Sequence, residues 1–308
     1  MTQLSLEFSK WKAWKDYENN PLIKPEFPDW IIADPTFIHA EDSPDGLWHL
    51  FAHSIINGIN HFISRNGLNW KIVKKKVFPG MRPFLFKEKD KFYLLFEEYI
   101  SGLNFSVIKI SESLDLRNWE APKIILKPSL RWEWGFFKTN GNPCLIKIKN
   151  KYRLYYSAGS VFLKDCLFFE PKYIGIAESD SIMGPYIKKR MPILFPNKDE
   201  PYRNLGAGAL KVIYLKEKKI WLGFNNGIYI DKFSKSRSSI LLLASKDGLS
   251  FEKVFNTPII SPNHGWKRSF VYQLDVKYIN NEYWMYYNAR DGWFFGKERI
   301  GLSILKID

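Results

Sequence analysis

Two columns of polar residues interrupt a chain otherwise rich in strand-forming apolar runs. One column opens short apolar segments: Asp34 in DPTFI (34–38), Arg82 in RPFLF (82–86), Asn142 in NPCLI (142–146), a Gly-Ala stretch in GALKV (208–212), and Gln273 with Asp275 in QLDVKY (273–278). The other closes aromatic segments: His53 in WHLFAH (48–53), Glu97 in FYLLFE (92–97), Ser157 in YRLYYS (152–157), Asn225 in IWLGFN (220–225) and Asn288 in YWMYYN (283–288). Carboxylates, an arginine, a histidine and several amides among aromatic walls suit the many donors and acceptors of a sugar. The acids that can reach this place are Asp34, Glu97, Asp275, Asp291 in YYNARDG, and Glu170 at the end of SVFLKDCLFFEPK (160–172).

Each candidate also has a structural role open to it. Glu97 could pair with Arg82, Asp275 could brace the end of the fold, and Asp291 could cap a turn beside Arg290. A buried Arg82 needs an anion, supplied by Asp34, by Glu97, or by a substrate carboxylate or phosphate. His53 could assist acid chemistry or orient a hydroxyl. No spacing of His, Asp, Glu or Cys reads as a metal site, and no Gly-rich phosphate loop is present.

The elements that must position these groups come from an internal repeat. Five pairs of strands, beginning at the segments above, are followed in four cases by a third strand ending in a Ser-rich turn with an aromatic: SRNGLNW (64–70), SESLDLRNW (111–119), SDSIMGPY (179–186) and SKDGLSF (245–251). A fourth short strand then reads KVFP (76–79), IILKP (124–128), PILFP (192–196) or PIISP (258–262). The last unit stops at RIGLSILKID (299–308), and SKWKAW (9–14) with PLIKP (21–25) supplies its missing piece. Four antiparallel strands repeated five times predict an all-β, five-bladed β-propeller in one domain, residues 1–308. The approximate blades are 30–80, 81–130, 139–197, 205–262, and 270–308 plus 4–25, the N-terminal strand closing the last. Strand starts of the first column and strand ends of the second then meet at one end of a central channel.

With 308 residues, a formal net charge of +14, 45 % hydrophobic and 17 % aromatic residues, the chain can build a large core. This composition excludes a disordered chain. Two cysteines, Cys144 and Cys166, are too few for a disulfide framework. No apolar run approaches the ~20 residues of a membrane span, and the N-terminus lacks a signal peptide's apolar core. The expectation is a cytoplasmic protein with no cofactor and no metal. The excess lysine is read as solubilising charge on outer turns, leaving no nucleic-acid partner, and the lack of a spanning run leaves no membrane partner.

IIADPTFI, the Ser-rich turns and the P-I/L-x-x-P strands resemble the five-bladed glycosidases of glycoside hydrolase families 43, 32, 68, 117 and 130 along essentially the whole chain. That resemblance implies a first-blade carboxylate acting as base or nucleophile, matched by Asp34, and an acid on another blade. It also shows departures. Family 43 has an inner-strand Asp where this chain has Asn142, and a fourth-blade Glu where it has NLGAGA (204–209). The expected function is an inverting glycoside hydrolase acting on an oligo- or polysaccharide, with an anionic sugar among the candidate substrates. Asp34, Glu97 and Asp275 form its catalytic set, and His53, Arg82, Asn142, Glu170, Asn225, Asn288, Arg290 and Asp291 bind substrate. A phosphorylase on the same scaffold, as in family 130, and a non-catalytic glycan-binding propeller are the alternatives.

Overall fold

Aromatic and β-branched runs separated by Gly, Asn, Asp and Pro fold here as successive antiparallel hairpins. The computed structural model describes residues 3–102 and 104–307. Met1, Thr2 and Asp308, which the single-domain expectation includes, lie outside the described residues, as does Leu103. A short helix (Gln3–Glu7) and a 3-10 turn (Ser9–Lys12) precede strand β1 (Lys15–Asp16). Strands β2 (Ala33–Ile38), β3 (Trp48–Ser54), β4 (Gly58–Ser64) and β5 (Lys71–Phe78) then form a four-stranded antiparallel sheet. A second contains β6 (Met81–Glu88), β7 (Lys91–Ile100), β8 (Phe105–Ser113) and β9 (Lys123–Leu126). The third contains β10 (Asn140–Ile148), β11 (Lys151–Leu163), β12 (Phe168–Ser179) and β13 (Ile187–Lys188).

The remaining strands share an eight-stranded sheet with two antiparallel halves. One half is β14 (Leu210–Leu215), β15 (Ile220–Ile230), β16 (Ser236–Ser245) and β17 (Glu252–Lys253). The other is β18 (Phe270–Ile279), β19 (Glu282–Arg290), β20 (Glu298–Lys306) and β1. A single parallel bridge, Ser238 to Phe270, joins them. No helix among the described residues is long and apolar enough to cross a membrane.

The N-terminal stretch pairs only in part. Lys15 and Asp16 face Ile304 and Ser303, and Ile23 bridges Ile300. Pro21 and Pro25 have no N–H to extend that ladder. Residues 9–12 instead seat the buried Trp11 ring 4.7 Å from Tyr283 and 6.1 Å from Phe224.

The first strands β2, β6, β10, β14 and β18 pack side by side in that order, and β18 also packs on β2. Asp275 makes the last of these contacts, accepting from the Thr36 hydroxyl (2.9 Å), the Phe37 amide (3.1 Å) and the Val276 amide (2.9 Å). Apolar residues fill the spaces between sheets. Phe37, Trp48, Leu50, Tyr286, Ile300 and Leu302 form one such cluster, with the Phe37 and Tyr286 rings 4.6 Å apart. The Ser-rich turns lock neighbouring sheets. Ser64 accepts from the Gly67 amide at 3.0 Å, and the Tyr286 hydroxyl donates to the Gly67 carbonyl at 2.5 Å. Ser245, Gly248 and Tyr155 repeat the device, with Tyr155 donating at 2.7 Å. Gly67 has a φ of +73°, and a side chain there would press on Trp48 and Trp284.

A bulge recurs near the start of β2, β6 and β10, and it aims side chains. Asp34 (φ 52°), Arg82 (54°) and Asn142 (46°) all take left-handed backbone there, and Gly208 (54°), just ahead of β14, takes the same conformation. Such backbone is uncommon for non-glycine residues and persists where the surroundings impose it.

Candidate functional site

The bulges open onto a cavity of about 570 Å³ at the end of the fold where the first strands start and the second strands end. Asp34, Arg82, Asn142, Gly208 and Gln273 line it from the first-strand column. His53 and Asn288 line it from β3 and β19, while Glu170, Arg290 and Glu298 come from β12, β19 and β20. Its floor is polar and its rim is apolar, with Trp30, Ile55, Ile56, Met81, Phe169 and Phe294 around the mouth.

Asp34 sits at the centre of the polar network. His53 Nδ1 lies 3.0 Å from its Oδ2, and its backbone amide donates to Asn288 Oδ1 at 3.1 Å. Burial acts to raise the Asp34 carboxyl, but the His53 hydrogen bond and the charges of His53, Arg82 and Lys211 outweigh it. The net effect holds Asp34 below the usual carboxylate range. Glu170 goes the other way. Burial pushes its carboxyl up to about 8, Arg82 opposes this, and the neighbouring Glu298 and Asp34 charges add to it. One cavity therefore holds an ionised carboxylate and, at neutral pH, a protonated carboxylic acid.

Glu298 accepts from Asn288 Nδ2 (3.0 Å) and from Arg290 Nη1 (3.1 Å). Burial raises its carboxyl too, with Arg290 opposing and Asp34 contributing. Arg290 spends its other donors on the carbonyls of Gly292, Trp293 and Phe294, so it shapes the loop beside the cavity. Gln273 Nε2 donates to Asn142 Oδ1 at 3.1 Å across the floor. The buried Tyr272 hydroxyl faces Glu170 at the cavity wall and acts, against burial, to favour its ionised form.

Four of the residues expected in the catalytic and binding sets do not line this cavity, nor does Ser157, whose hydroxyl donates to the Gly208 carbonyl at 2.6 Å. Glu97 lies behind Arg82, accepting from Arg82 Nη1 at 2.7 Å and from the Ser106 hydroxyl at 2.6 Å. A Cβ at Gly141 would collide with its carboxylate, so β10 packs directly against Glu97. Asp275 is engaged as the brace between β18 and β2 described above. Asp291 accepts from the Lys297 amide (2.8 Å) and from Arg299 (2.7 Å), holding the β19–β20 loop. Asn225 donates to the carbonyls of Ala207 (2.6 Å) and Ala209 (2.9 Å), and its neighbour Asn226 lines the cavity instead. Successive strand residues point to opposite faces, so a one-residue offset exchanges the two amides.

Glu298 and Tyr272 carry no mark in the sequence reading. Glu298 opens a third strand, at the same end of the sheet as the second-strand ends. That end-matching is the signal that would have found it. Among the described residues no group of three or more His, Cys, Asp or Glu is placed to hold a metal ion.

No protein-family profile matches the chain, and no curated protein matches it in sequence. Solved structures do match in shape. An N-acetylgalactosamine deacetylase from F. plautii, in complex with blood group B trisaccharide, aligns with a TM-score of 0.69 at 12 % identity, over 94 % of this chain and 92 % of that one. A structure from the GH130 family of mannoside phosphorylases, described as containing hydrolases of β-1,2 mannosidic linkages in Candida mannan, gives 0.69 at 12 % identity over 94 % and 93 %. An α-L-arabinofuranosidase from Podospora anserina, in complex with cellotriose, gives 0.66 at 14 % identity over 92 % and 94 %. The chain has the all-β fold, built from four-stranded sheets, that these carbohydrate-active proteins share.

Proposed function

We propose that the chain is a five-bladed β-propeller glycosidase in which Asp34 is the base and Glu170 the acid. The blade count is supported by the three separate four-stranded sheets, by the two halves of the eight-stranded sheet, and by the packing of β18 on β2. The observation that carries the catalytic reading is the opposed titration of two carboxyls facing one polar cavity. Glu170 gives its proton to the leaving-group oxygen, and Asp34 takes a proton from the attacking water as the anomeric bond breaks. His53 holds Asp34 in position. Arg82, Asn142, Asn288 and Gln273 offer donors and acceptors to sugar hydroxyls. Glu97 and Asp275, first considered for catalysis, are assigned to holding Arg82 and to bracing β18 on β2.

Phosphorolysis is the second reading, favoured by Arg82, which faces the cavity and bonds Glu97 through Nη1, leaving its other nitrogens to an anion. An aryl-glycoside panel assayed with and without inorganic phosphate tests both. Turnover that Asp34→Asn abolishes supports hydrolysis if phosphate is not needed, and phosphorolysis if it is. A panel inert in both conditions, with glycans still bound, would leave only a binding role.

A further inference from the structure

The two ends of the sheets differ sharply in what they expose. In each unit the turn between second and third strands, and the chain arriving at the next first strand, lie at the cavity end. The turns between first and second strands lie at the other. Those opposite turns read Lys89-Asp90, Lys149-Asn150, Glu217-Lys218-Lys219 and Asn280-Asn281, as solvated turns should. The cavity end carries the larger set of exposed apolar tips, against Leu114 and Tyr278 at the opposite end. Phe27 is 94 % exposed on the approach to β2, Ile55 and Ile56 form the β3–β4 turn, and Phe136 precedes β10. Phe233 tips the β15–β16 loop, and Phe295, 91 % exposed, tips the β19–β20 loop. Turns favour Gly, Asn and Asp, so an Ile-Ile turn tip has no local conformational reason. Exposed apolar groups gathered on one face mark an interaction surface.

Basic groups are interleaved with them. Lys138 Nζ lies 3.8 Å from the Trp134 ring centre, Lys232 lies 5.1 Å from Phe233, and Lys235 lies 5.6 Å from Trp293. The whole chain is +14, which opposes pairing this face with a second copy. Ile55 and Ile56 offer a sugar neither a hydrogen bond nor an aromatic face, so a glycan alone does not account for the apolar tips.

We propose that the cavity face docks on an anionic lipid surface. The apolar tips enter the boundary between headgroups and acyl chains, and Lys138, Lys232 and Lys235 meet the anionic headgroups. This contrasts with the expectation from sequence that no membrane partner exists, since that rested on the lack of a spanning segment.

The test is co-sedimentation of the full chain with vesicles of phosphatidylcholine alone and of phosphatidylcholine with phosphatidylserine. Binding is expected to the mixed vesicles and to weaken with salt. The triple variant Phe27→Ser, Phe233→Ser, Phe295→Ser changes only exposed tips, keeps the melting temperature, and should bind about tenfold or more weakly. Lys138→Gln with Lys232→Gln should weaken binding to the mixed vesicles too. The proposal is overturned by a wild type that sediments with neither vesicle, or by a triple variant that binds as wild type does. It is equally overturned if the tips prove to be buried in a dimer that the triple variant dissociates, or if a single-stranded oligonucleotide binds at physiological salt while vesicles do not.

Discussion

Glu170→Gln tests the acid assignment without knowing the sugar. The folded chain holds the Glu170 carboxyl at about 8 against an ordinary value of 4.5, so folding favours its neutral form. A carboxyl raised in this way contributes stability that is fully present below 4.5 and is lost as pH rises to about 8. At about 1.4 kcal/mol for each pH unit across that interval, the loss is on the order of 5 kcal/mol. Glutamine keeps the shape and cannot ionise. Relative to wild type, the variant should therefore gain stability with rising pH, most steeply between pH 5 and 8, and level off above about 9. Urea unfolding of both proteins at matched pH values reads the difference directly, and taking the difference cancels the other titrating groups. A difference that stays constant from pH 4 to 9 would falsify the protonated-acid reading. In activity, the same proton sets the alkaline limb: kcat/KM should fall about tenfold per pH unit above about 8.

Other perturbations separate catalysis from scaffolding. Asp34→Asn tolerates the left-handed backbone at φ 52°, so the chain should still fold, with a lowered melting temperature because His53 and Arg82 lose their anion, while turnover drops ~10²–10⁴-fold; full activity would remove Asp34 from the reaction. Glu97→Ala strands the Arg82 guanidinium and should cost about 3–5 kcal/mol in denaturant unfolding, with an unchanged midpoint counting against the pairing. Gly141→Ala forces the Glu97 carboxylate to move, and a crystal structure of the variant should show the Arg82–Glu97 pair broken. Deleting residues 1–25 removes Trp11 and Ile23 from burial, each worth ~1.5–3 kcal/mol; a truncated chain that melts at the wild-type temperature would refute the role given to that segment.

The repeat made the strands legible because each hairpin carries its own turn chemistry. Serine at the turn entry and glycine three residues on recur at Ser64–Gly67 and Ser245–Gly248, and both sets of hydrogen bonds are formed. The first-strand column is readable for a related reason: it sits at a bulge whose backbone is imposed by the fold, so residue type and position coincide at Asp34, Arg82 and Asn142. The second-strand column is less readable. Counting along the sequence reaches Asn225, and the pairing register brings Asn226 to the cavity. Depth is not readable at all. Glu97 and His53 close equivalent second strands, yet His53 lines the cavity while packing against Gly141 makes Glu97 the anchor of Arg82. Glu170 reaches the cavity on the extended β11–β12 hairpin, whose length carries no information about where it lands.

The left-handed bulge limits what the pocket can become. At position 34 only glycine, asparagine and aspartate sit comfortably, and a valine or isoleucine would strain the chain. Positions 142 and 208 follow the same restriction, whereas Arg82 takes this backbone with its guanidinium anchored on Glu97. Three inner positions of this pocket thus draw on a small alphabet that contains both a base and its inert amide. A single-nucleotide-sized change between them switches chemistry off while leaving shape intact. Combinatorial libraries aimed at new specificity should therefore fix these three sites and randomise the rim, where Trp30, Ile55, Ile56 and Phe294 carry no such constraint on their backbone.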